Sequence, residues 1–280
     1  NLHQSLYCPS KLLLGSDTRS TLRPLERRNL LKLTPTSFLA DLFLVVRSCT
    51  STLFKGQWKT KEIAHQIAIQ GVGSIPIIVI ATGFAGMVIT DEIAFHMDHA
   101  LHTTSMIPGF TAQFILRELG IAVPALLLVS KVGAALTAEV GGMKITEQIE
   151  ALKLLGIDPV GYLVFPRWIA GILSTLALTL LAMAVTLGCA ILMAVLKFHF
   201  DYAEYLNSLR HFVGLKDIAG AMVKALAYGG VTPLIACTYG LRCDGGAQGV
   251  GTATTQSVVS ATITIIVLDF ILTYLFTLIA

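Results

Sequence analysis

The sequence predicts an all-α integral membrane protein with five transmembrane helices, from its composition and from five long apolar segments. Of its 280 residues, 54% are hydrophobic and 13% are charged, and the mean hydropathy is +0.74. A soluble domain carries about 25% charged residues, and a bilayer-spanning helix needs about 20 mostly apolar ones. Five segments meet that length: Ile67–Thr90, Ile107–Ala138, Trp168–Leu196, Ile218–Leu241 and Thr254–Ala280.

Residues 1–35 differ in composition from the rest of the chain. They are polar and basic, contain several serines, and include Pro9, Pro24 and Pro35 as helix breakers. This composition predicts a mobile polar leader. The scarcity of acidic residues also fits the remainder of a transit peptide.

The next segment, residues 36–66, is predicted to hold an amphipathic helix and a connector. Between Thr36 and Gly56, apolar residues recur at helical spacing and polar residues occupy the other face. The apolar positions are Leu39, Leu42, Val46, Cys49 and Leu53. Such a helix is too polar to cross the bilayer, so we expect it to lie in the membrane interface with its apolar face towards the acyl chains.

The five spans are predicted to form one domain, from residue 67 to residue 280. The basic residues predict the orientation of these spans. Ten lysines and arginines precede the first span. Four more lie between the second and third spans or between the fourth and fifth: Lys144, Lys153, Arg167 and Arg242. Basic residues favour the cytoplasmic side of short loops. The N-terminus is therefore predicted inside and the C-terminus outside.

Small residues and prolines within the spans predict a tightly packed, kinked bundle. Glycine-rich stretches such as G-F-A-G at 83–86 and A-Y-G-G at 227–230 let helix backbones approach closely in lipid. Pro76, Pro124 and Pro233 fall inside predicted spans, where proline is expected to kink a helix.

The stretch A-E-V-G-G-M-K-I-T-E-Q-I-E-A-L-K-L-L-G-I-D-P, residues 138–159, interrupts the apolar pattern with six charged residues. The pair Gly141 and Gly142 is expected to end the second span, and Gly156 with Pro159 to stop a short helix. The apolar positions between these breaks share one helical stripe: Ile145, Ile149, Leu152 and Leu155. A short helix is marginally stable in water. We therefore expect this one to rest either on the lipid interface or on another protein.

Four charged residues fall within predicted spans: Arg117, Glu118, Lys224 and Asp269. A charge at the bilayer centre costs roughly 2.5 to 3.5 kcal/mol on the insertion scale, so each should face a partner or a wet cavity. Similar depths predict a pair between Lys224 and Asp269. Arg117 is left with a helix terminus or a lipid phosphate. Neighbouring residues point about 100° apart on a helix, so only one of Arg117 and Glu118 need face a cavity directly.

The motifs of an enzyme are missing from the sequence. It has no G-x-x-x-x-G-K-[ST] phosphate loop, and the nearest segment, D-G-G-A-Q-G-V-G-T at 244–252, lacks the lysine and is expected to be a flexible hairpin loop. The five cysteines are scattered and form neither a disulfide framework nor a metal pair. No basic patch is interleaved with aromatic residues, which disfavours nucleic acid as a partner.

A histidine-rich stretch lies in the predicted outer loop after the first span. It brings His96, Asp98, His99 and His102 close together in sequence. Histidines three residues apart on a helix can share a metal, but three such steps drift around the helix and no fourth ligand is assured. We therefore expect surface histidines and no metal site.

Three long motifs follow one another along the chain. The first is L-R-E-L-G-I-A-V-P at 116–124, and the second is residues 138–159, followed by Y-L-V-F-P-R-W. The third is G-G-A-Q-G-V-G-T-A-T-T-Q-S-V-V at 245–259. Together they resemble the signature of the MlaE-type permeases, the membrane subunits of lipid-trafficking ABC transporters that work with MCE-domain proteins. The resemblance extends from about residue 36 to the C-terminus, in the family's order.

This resemblance implies a permease domain that works as a homodimer with a cytoplasmic ABC ATPase and an MCE-domain substrate-binding protein. The chain itself would hold no cofactor, because ATP and Mg²⁺ belong to the partner ATPase. The short cytoplasmic helix would be a coupling helix. Its candidate docking residues are Glu139, Met143, Glu147 and Gln148. Arg117 and Glu118 would line an outward cavity for phospholipid, with Arg117 meeting the phosphate.

Two other interpretations remain open from the residues alone. The buried charges would also serve an ion-coupled secondary transporter, which needs no ATPase. Alternatively, the chain would be a membrane scaffold that anchors MCE proteins. The expected location is the inner membrane of a Gram-negative cell as a multi-pass protein, with the chloroplast inner envelope as the alternative.

Overall fold

The computed structural model describes residues 35–54, 60–101, 107–198 and 202–279. All regular structure in these ranges is helical. The chain divides into two units, Asn1–Phe43 and Leu44–Ala280. The predicted leader, except for Pro35, lies outside the described residues, so its prediction stands untested.

The described residues form eleven α-helices, some of them joined by a single 3-10 or π-helical turn. The helices are α1 (Pro35–Phe54), α2 (Thr60–Gln70), α3 (Ile75–Leu101), α4 (Ile107–Phe114), α5 (Gly120–Leu128), α6 (Ala134–Ile145), α7 (Gln148–Leu154), α8 (Phe165–Phe198), α9 (Tyr202–Phe212), α10 (Leu215–Arg242) and α11 (Gly246–Ile279). A 3-10 turn covers Val72–Ser74, and π turns cover Ile115–Leu119, Val129–Gly133 and Val160–Val164.

Five helical stretches are long and apolar enough to cross a membrane, so the protein is an all-α multi-pass membrane protein, as predicted. They are Thr60–Met97, Ile107–Ile145, Val160–Phe198, Lys216–Arg242 and Gly246–Leu278. Each overlaps a predicted span. Most extend beyond it, because polar turns at the ends continue the helix past the apolar window.

Helix α8 is central to the bundle and packs against α2, α3, α5 and α10. Glycines allow two of these contacts. A Cβ atom on Gly86 of α3 would lie 2.4 Å from the carbonyl oxygen of Thr186, and one on Gly171 of α8 would lie 2.4 Å from Cγ of Pro233. Any larger residue would push these helices apart. Helix α10 also packs on α6 and α11, which completes the bundle.

Helix α1 occurs where the sequence predicts an amphipathic helix. In the second unit, its residues Val45 and Cys49 are buried, and Leu44 is exposed. Ser48 Oγ donates a hydrogen bond to Oδ2 of Asp158 at 3.0 Å. Asp158 also accepts bonds from the backbone N–H groups of Val160 and Gly161. The part of α1 that belongs to the second unit is thus tied to the start of the third span.

The predicted break at Gly141 and Gly142 is wrong, because α6 continues through both residues to Ile145. A Cβ atom at Gly141 would make ordinary van der Waals contacts, 3.5 Å from Cβ of Cys243 and 3.5 Å from Cγ2 of Val250. The helix ends one turn later, where Glu147 adopts a positive φ of 58°. This left-handed residue separates α6 from α7.

The glycine-rich stretch 244–252 is not the flexible loop that we expected. Helix α11 begins at Gly246, and a turn of Cys243, Asp244 and Gly245 connects it to α10. The first turns of α11 fold back onto this turn, since a Cβ atom on Gly249 would lie 1.9 Å from the carbonyl oxygen of Asp244. Gly249 is therefore needed for close packing, whereas Gly245 and Gly246 adopt the positive φ values of the turn, 94° and 71°.

The prolines also differ from expectation at one position. Pro76 stands at the beginning of α3, directly after the 3-10 turn Val72–Ser74, so the helix is interrupted before the proline. Proline is well tolerated in a first turn because the N–H it lacks has no partner there. Pro124 and Pro233 lie inside helices, as predicted.

Candidate functional site

A cavity of about 750 Å³ opens between the second, fourth and fifth spans. We call the end of the bundle that holds it the outer end, following the predicted orientation. Arg117 and Glu118 both line this cavity. Both can do so because they lie in the π turn Ile115–Leu119, whose wider i to i+5 hydrogen bonding rotates successive residues less than an α-helix does.

Lys224 is the centre of a buried polar network at the inner side of the cavity. Its Nζ atom lies 2.8 Å from Oδ1 of Asp269 and 3.2 Å from Oε1 of Glu118, and it donates to the carbonyl oxygen of Arg117 at 2.9 Å. The side chain of Lys224 is only 4% exposed. Three acceptors therefore replace water around the ammonium group, which is how a buried charge is tolerated.

Two hydroxyl groups complete this network. Tyr228 donates to Oδ1 of Asp269 at 2.6 Å, and Thr273 donates to Oε1 of Glu118 at 3.0 Å. The network thus connects the second, fourth and fifth spans through one lysine. The structure brings together three of the four predicted intramembrane charges, with Glu118 as a second carboxylate beside the predicted partner Asp269.

Arg117 points to a different partner at the mouth of the cavity. Its Nε atom donates to Oδ1 of Asp217 at 2.8 Å. Asp217 lies in the first turn of α10, and its Oδ2 atom accepts a bond from the backbone N–H of Gly214 at 3.0 Å. One carboxylate therefore caps the helix and binds the arginine. Of the two options for Arg117, this arrangement corresponds to the helix terminus.

At the opposite, inner end, the second span ends in the short helix α7. Glu147 and Gln148 are exposed at its start, and Ile149 is buried beneath it. The predicted single stripe is wrong, because the left-handed Glu147 leaves Ile145 on α6, and Leu155 is exposed beyond the end of α7. The predicted stop is confirmed: Gly156 has a positive φ of 73° and α7 ends at Leu154.

The end of α7 presents apolar side chains to its surroundings. Leu154 is 90% exposed and Leu155 is 74% exposed, and Ile157 is partly exposed. Such residues at the end of a short helix are typical of a surface that another molecule covers. The structure therefore leaves open to contact a surface that begins at Glu147 and ends at Ile157.

The other two predicted docking residues lie further up the second span. Met143 is half-buried in α6. Glu139 accepts a bond from Nη2 of Arg167 at 2.6 Å, and Arg167 also donates from Nη1 to the carbonyl oxygen of Leu163 at 2.6 Å. Because Arg167 is buried, Glu139 forms part of the contact between the second and third spans.

Sequence reasoning missed three features of these sites. Asp217 and Arg167 stand at span ends, where a charge gives no warning in a hydropathy pattern. Gly214 and Asp217 are three residues apart at the start of an apolar run. This spacing is a capping signal that would have revealed the role of Asp217. Helix α9 has no apolar run. Only the helical spacing of Tyr205, Leu209 and Phe212 among polar residues indicates a helix.

The outer histidines give no metal site in the part of the chain that the structure describes. His96 Nε2 lies 3.1 Å from Oε1 of Glu92, one helical turn away. The side chains of Asp98 and His99 and all of His102 lie outside the described residues. Among the described residues, no group of three or more histidine, cysteine, aspartate and glutamate side chains is placed to hold a metal ion.

These features define a class of protein: a multi-pass helical bundle with a charged cavity at one end and an exposed short helix at the other, as in membrane transport subunits. The sequence profile of the family described as Permease MlaE matches residues 63–275. The chain belongs to the MlaE permease family.

Several relatives carry related names. A probable ABC transporter permease protein of Synechocystis is 34% identical over 223 residues, which cover 80% of this chain and 84% of the relative. A protein of the same description from Rickettsia felis is 34% identical, over 76% of this chain and 82% of the relative. The chloroplastic protein TRIGALACTOSYLDIACYLGLYCEROL 1 of Arabidopsis thaliana is 30% identical, over 80% and 64%. ABC transporter permease naming implies an ATPase partner.

Proposed function

We propose that this chain is the permease subunit of an ABC transporter that moves phospholipid between its membrane and an MCE-type lipid carrier. The observation that carries the proposal is the outer cavity of about 750 Å³, which combines charged groups at its mouth with apolar residues such as Phe276. A phospholipid has the same two parts, an ionic headgroup and apolar chains. Arg117 and Glu118 line this cavity and are proposed to contact the lipid.

Energy for transport is proposed to come from a separate cytoplasmic ATPase. The exposed start of α7 at Glu147 and Gln148 and its apolar end at Leu154 offer a docking surface with both polar and apolar contacts. Because α7 follows directly on the second span, a displacement of α7 acts on the same helical stretch that carries Arg117 at its other end. Met143 and Glu139 would support this movement from inside the bundle.

A second copy of the chain and an MCE-domain protein complete the proposed assembly. The fifth span supports pairing with a second copy of the chain, because it is the least buried of the five spans. Ile263, Ile266 and Phe270 are exposed along α11. The proposed location is the inner membrane of a Gram-negative cell. The chloroplast inner envelope is the alternative, which the name of the chloroplastic relative supports.

Transport in a reconstituted system tests this function. The chain would be reconstituted in proteoliposomes with its ATPase and carrier, and transfer of a labelled phospholipid to the carrier would be measured with ATP and with a non-hydrolysable analogue. We expect transfer only with ATP, and reduced transfer for Arg117→Ala and Glu118→Ala. Equal transfer with both nucleotides would refute an ATP-driven permease.

Docking of the ATPase has its own test. Glu147→Lys and Gln148→Lys should reduce copurification of the ATPase while leaving the permease folded, because both side chains are exposed at the start of α7. Glu62→Lys is the matched control, since it reverses an exposed charge at the inner end of α2. Wild-type amounts of ATPase on both α7 variants would show that the docking surface lies elsewhere.

The buried network favours one alternative, an ion-coupled secondary transporter. Lys224, Glu118 and Asp269 form a titratable cluster beside the cavity, and such clusters inside membranes often relay ions. This alternative predicts transport that a proton or sodium gradient drives without the ATPase. An ionophore that stops transport in the presence of ATP would support it. Unchanged lipid transfer with an ATPase variant that cannot hydrolyse ATP would instead favour the scaffold.

A further inference from the structure

The outer cavity carries more positive charge than its own salt bridges neutralise. The two carboxylates in its described lining are already paired, Asp217 with Arg117 at 2.8 Å and Glu118 with Lys224 at 3.2 Å. Arg210 and Lys216 also line the cavity and are exposed. Neither forms a salt bridge with any residue that the structure describes. Two positive charges at the mouth are therefore uncompensated within the described part of the chain.

The fold holds Arg210 at this position. Helix α9 packs on α4 with Tyr205 fully buried, and its last residue, Phe212, sits against Gly109. A Cβ atom on Gly109 would lie only 2.3 Å from Cδ2 of Phe212, and the ring of Phe110 lies 5.9 Å from that of Phe212, centroid to centroid. Because Arg210 is two residues from this anchor, the end of α9 that carries it is fixed at the cavity.

Lys216 is held at the mouth by the cap of α10. The bond from the N–H of Gly214 to Asp217 fixes the first turn, which contains Lys216. The N-terminus of a helix carries partial positive charge and favours anions, so a lysine there is electrostatically unfavourable. Asp217 offsets this charge, but it also binds Arg117. A bound anion would stabilise both the lysine and the helix terminus.

We propose that Arg210 and Lys216 form an outer phosphate site that binds the phosphate of a lipid headgroup at the mouth of the cavity. This proposal rests on the proposed function and adds two residues to it. Arginine offers a planar fork for phosphate oxygens, and lysine offers a point charge. Arg117, whose Nε is held by Asp217, belongs to the same lining. The apolar residues Ala219 and Phe276 would then contact the lipid chains.

Photocrosslinking with a defined lipid tests the outer phosphate site. The full chain, in its complex with the ATPase, would be placed in nanodiscs that contain phosphatidylglycerol with a photoactivatable acyl chain, and crosslinked lipid per protein would be measured by mass spectrometry. We expect Arg210→Gln with Lys216→Gln to lower crosslinking about 3- to 10-fold, since each partly exposed charge contact contributes modestly. Raising the salt concentration should weaken crosslinking of the wild type more than that of the double variant.

The matched control is Lys197→Gln. Lys197 is also a cation near the outer end, but it pairs with Asp91 and lines a separate pocket. It should leave crosslinking unchanged, and thermal unfolding should be similar for all variants. Wild-type crosslinking by the double variant, or an equal loss with Lys197→Gln, would overturn the proposal.

Further results distinguish the outer phosphate site from a site for an acidic protein, and its failure from a failure of the proposed function. If lipid crosslinking persists in the double variant while capture of the carrier protein falls, the two cations bind an acidic protein surface and the lipid proposal is wrong. If the wild type itself captures and transfers no phospholipid, the proposed function fails. If the wild type transfers lipid and the double variant does so equally well, only the outer phosphate site fails.

Discussion

Replacing Lys224 should destabilise the protein more than replacing either carboxylate that binds it. The ammonium group is buried and has two carboxylates and one carbonyl oxygen as partners. Lys224→Ala leaves Glu118 and Asp269 close together without their shared cation. Asp269→Ala leaves Lys224 with Glu118 and the carbonyl oxygen of Arg117, so no buried cation loses all its partners.

The expected magnitudes follow from burial. Removing one partner of a buried ion pair costs about 3 to 5 kcal/mol. The side chains of Glu118 and Asp269 keep 29% and 23% exposure, so water relieves part of this cost. We expect Lys224→Ala to lower the free energy of unfolding by about 3 kcal/mol. Asp269→Ala removes charged hydrogen bonds to Lys224 and Tyr228 and should cost about 2 kcal/mol.

A double-mutant cycle in bicelles, with reversible denaturant unfolding, measures the interaction. The loss for Lys224→Ala combined with Asp269→Ala should be about 1 to 2 kcal/mol smaller than the sum of the single losses. Lys197→Ala is the control, because its pair with Asp91 is about half exposed and should contribute no more than about 1 kcal/mol. Strict additivity, or a larger loss for Asp269→Ala than for Lys224→Ala, would refute the network.

Three further predictions concern the inner half of the molecule. Gly249→Ala should destabilise the protein by about 1 to 3 kcal/mol in the same unfolding assay, because its Cβ would meet the carbonyl oxygen of Asp244; unchanged stability would contradict this contact. Burial raises the pKa of the Cys49 thiol from 9.0 to about 12. The stability that the buried, protonated thiol contributes is therefore full below pH 9.0 and is lost as the pH rises towards 12. Maleimide should label Cys49 slowly in the folded protein at pH 9.0 and rapidly after unfolding, and fast labelling of folded protein would refute the burial. Depth-sensitive labels at Leu42 and Leu53 should report shallow interfacial burial, and a label on the far side would indicate a sixth span.

The five spans could be predicted because a run of about 20 apolar residues has few structural options in a membrane protein. The ends of the spans could not be predicted in this way. Gly141 and Gly142 were expected to break a helix, yet α6 continues through both, whereas the missing Cβ of Gly86 allows α3 to lie against the carbonyl oxygen of Thr186. The same residue type signals a break or a close contact, and only the neighbouring helix decides which applies.

The charged sites were predictable in part for a related reason. A charge inside an apolar run, such as Lys224 or Asp269, is visible in the sequence because burial without a partner is costly. Asp217 and Arg210 stand at helix ends, where no such cost marks them. Their positions at the cavity depend on the cap of α10 and on the contact of Phe212 with Gly109, which are tertiary features.

The second span joins the two candidate sites by a continuous helical path. It carries Arg117 in a π turn near the cavity and leads directly into Glu147 and α7 at the inner end. Two π turns, with Pro124 between them, lie along this path. π turns and prolines weaken the regular i to i+4 ladder and are common where helices bend. A push on α7 can therefore change the bend of this span, and the position of Arg117 and Glu118 relative to Lys224 would change with it. A rigid span two would transmit the same push as a translation of the whole helix. Replacing Pro124 with alanine separates these mechanisms, because it should reduce ATP-driven transfer without reducing ATPase binding if bending is required.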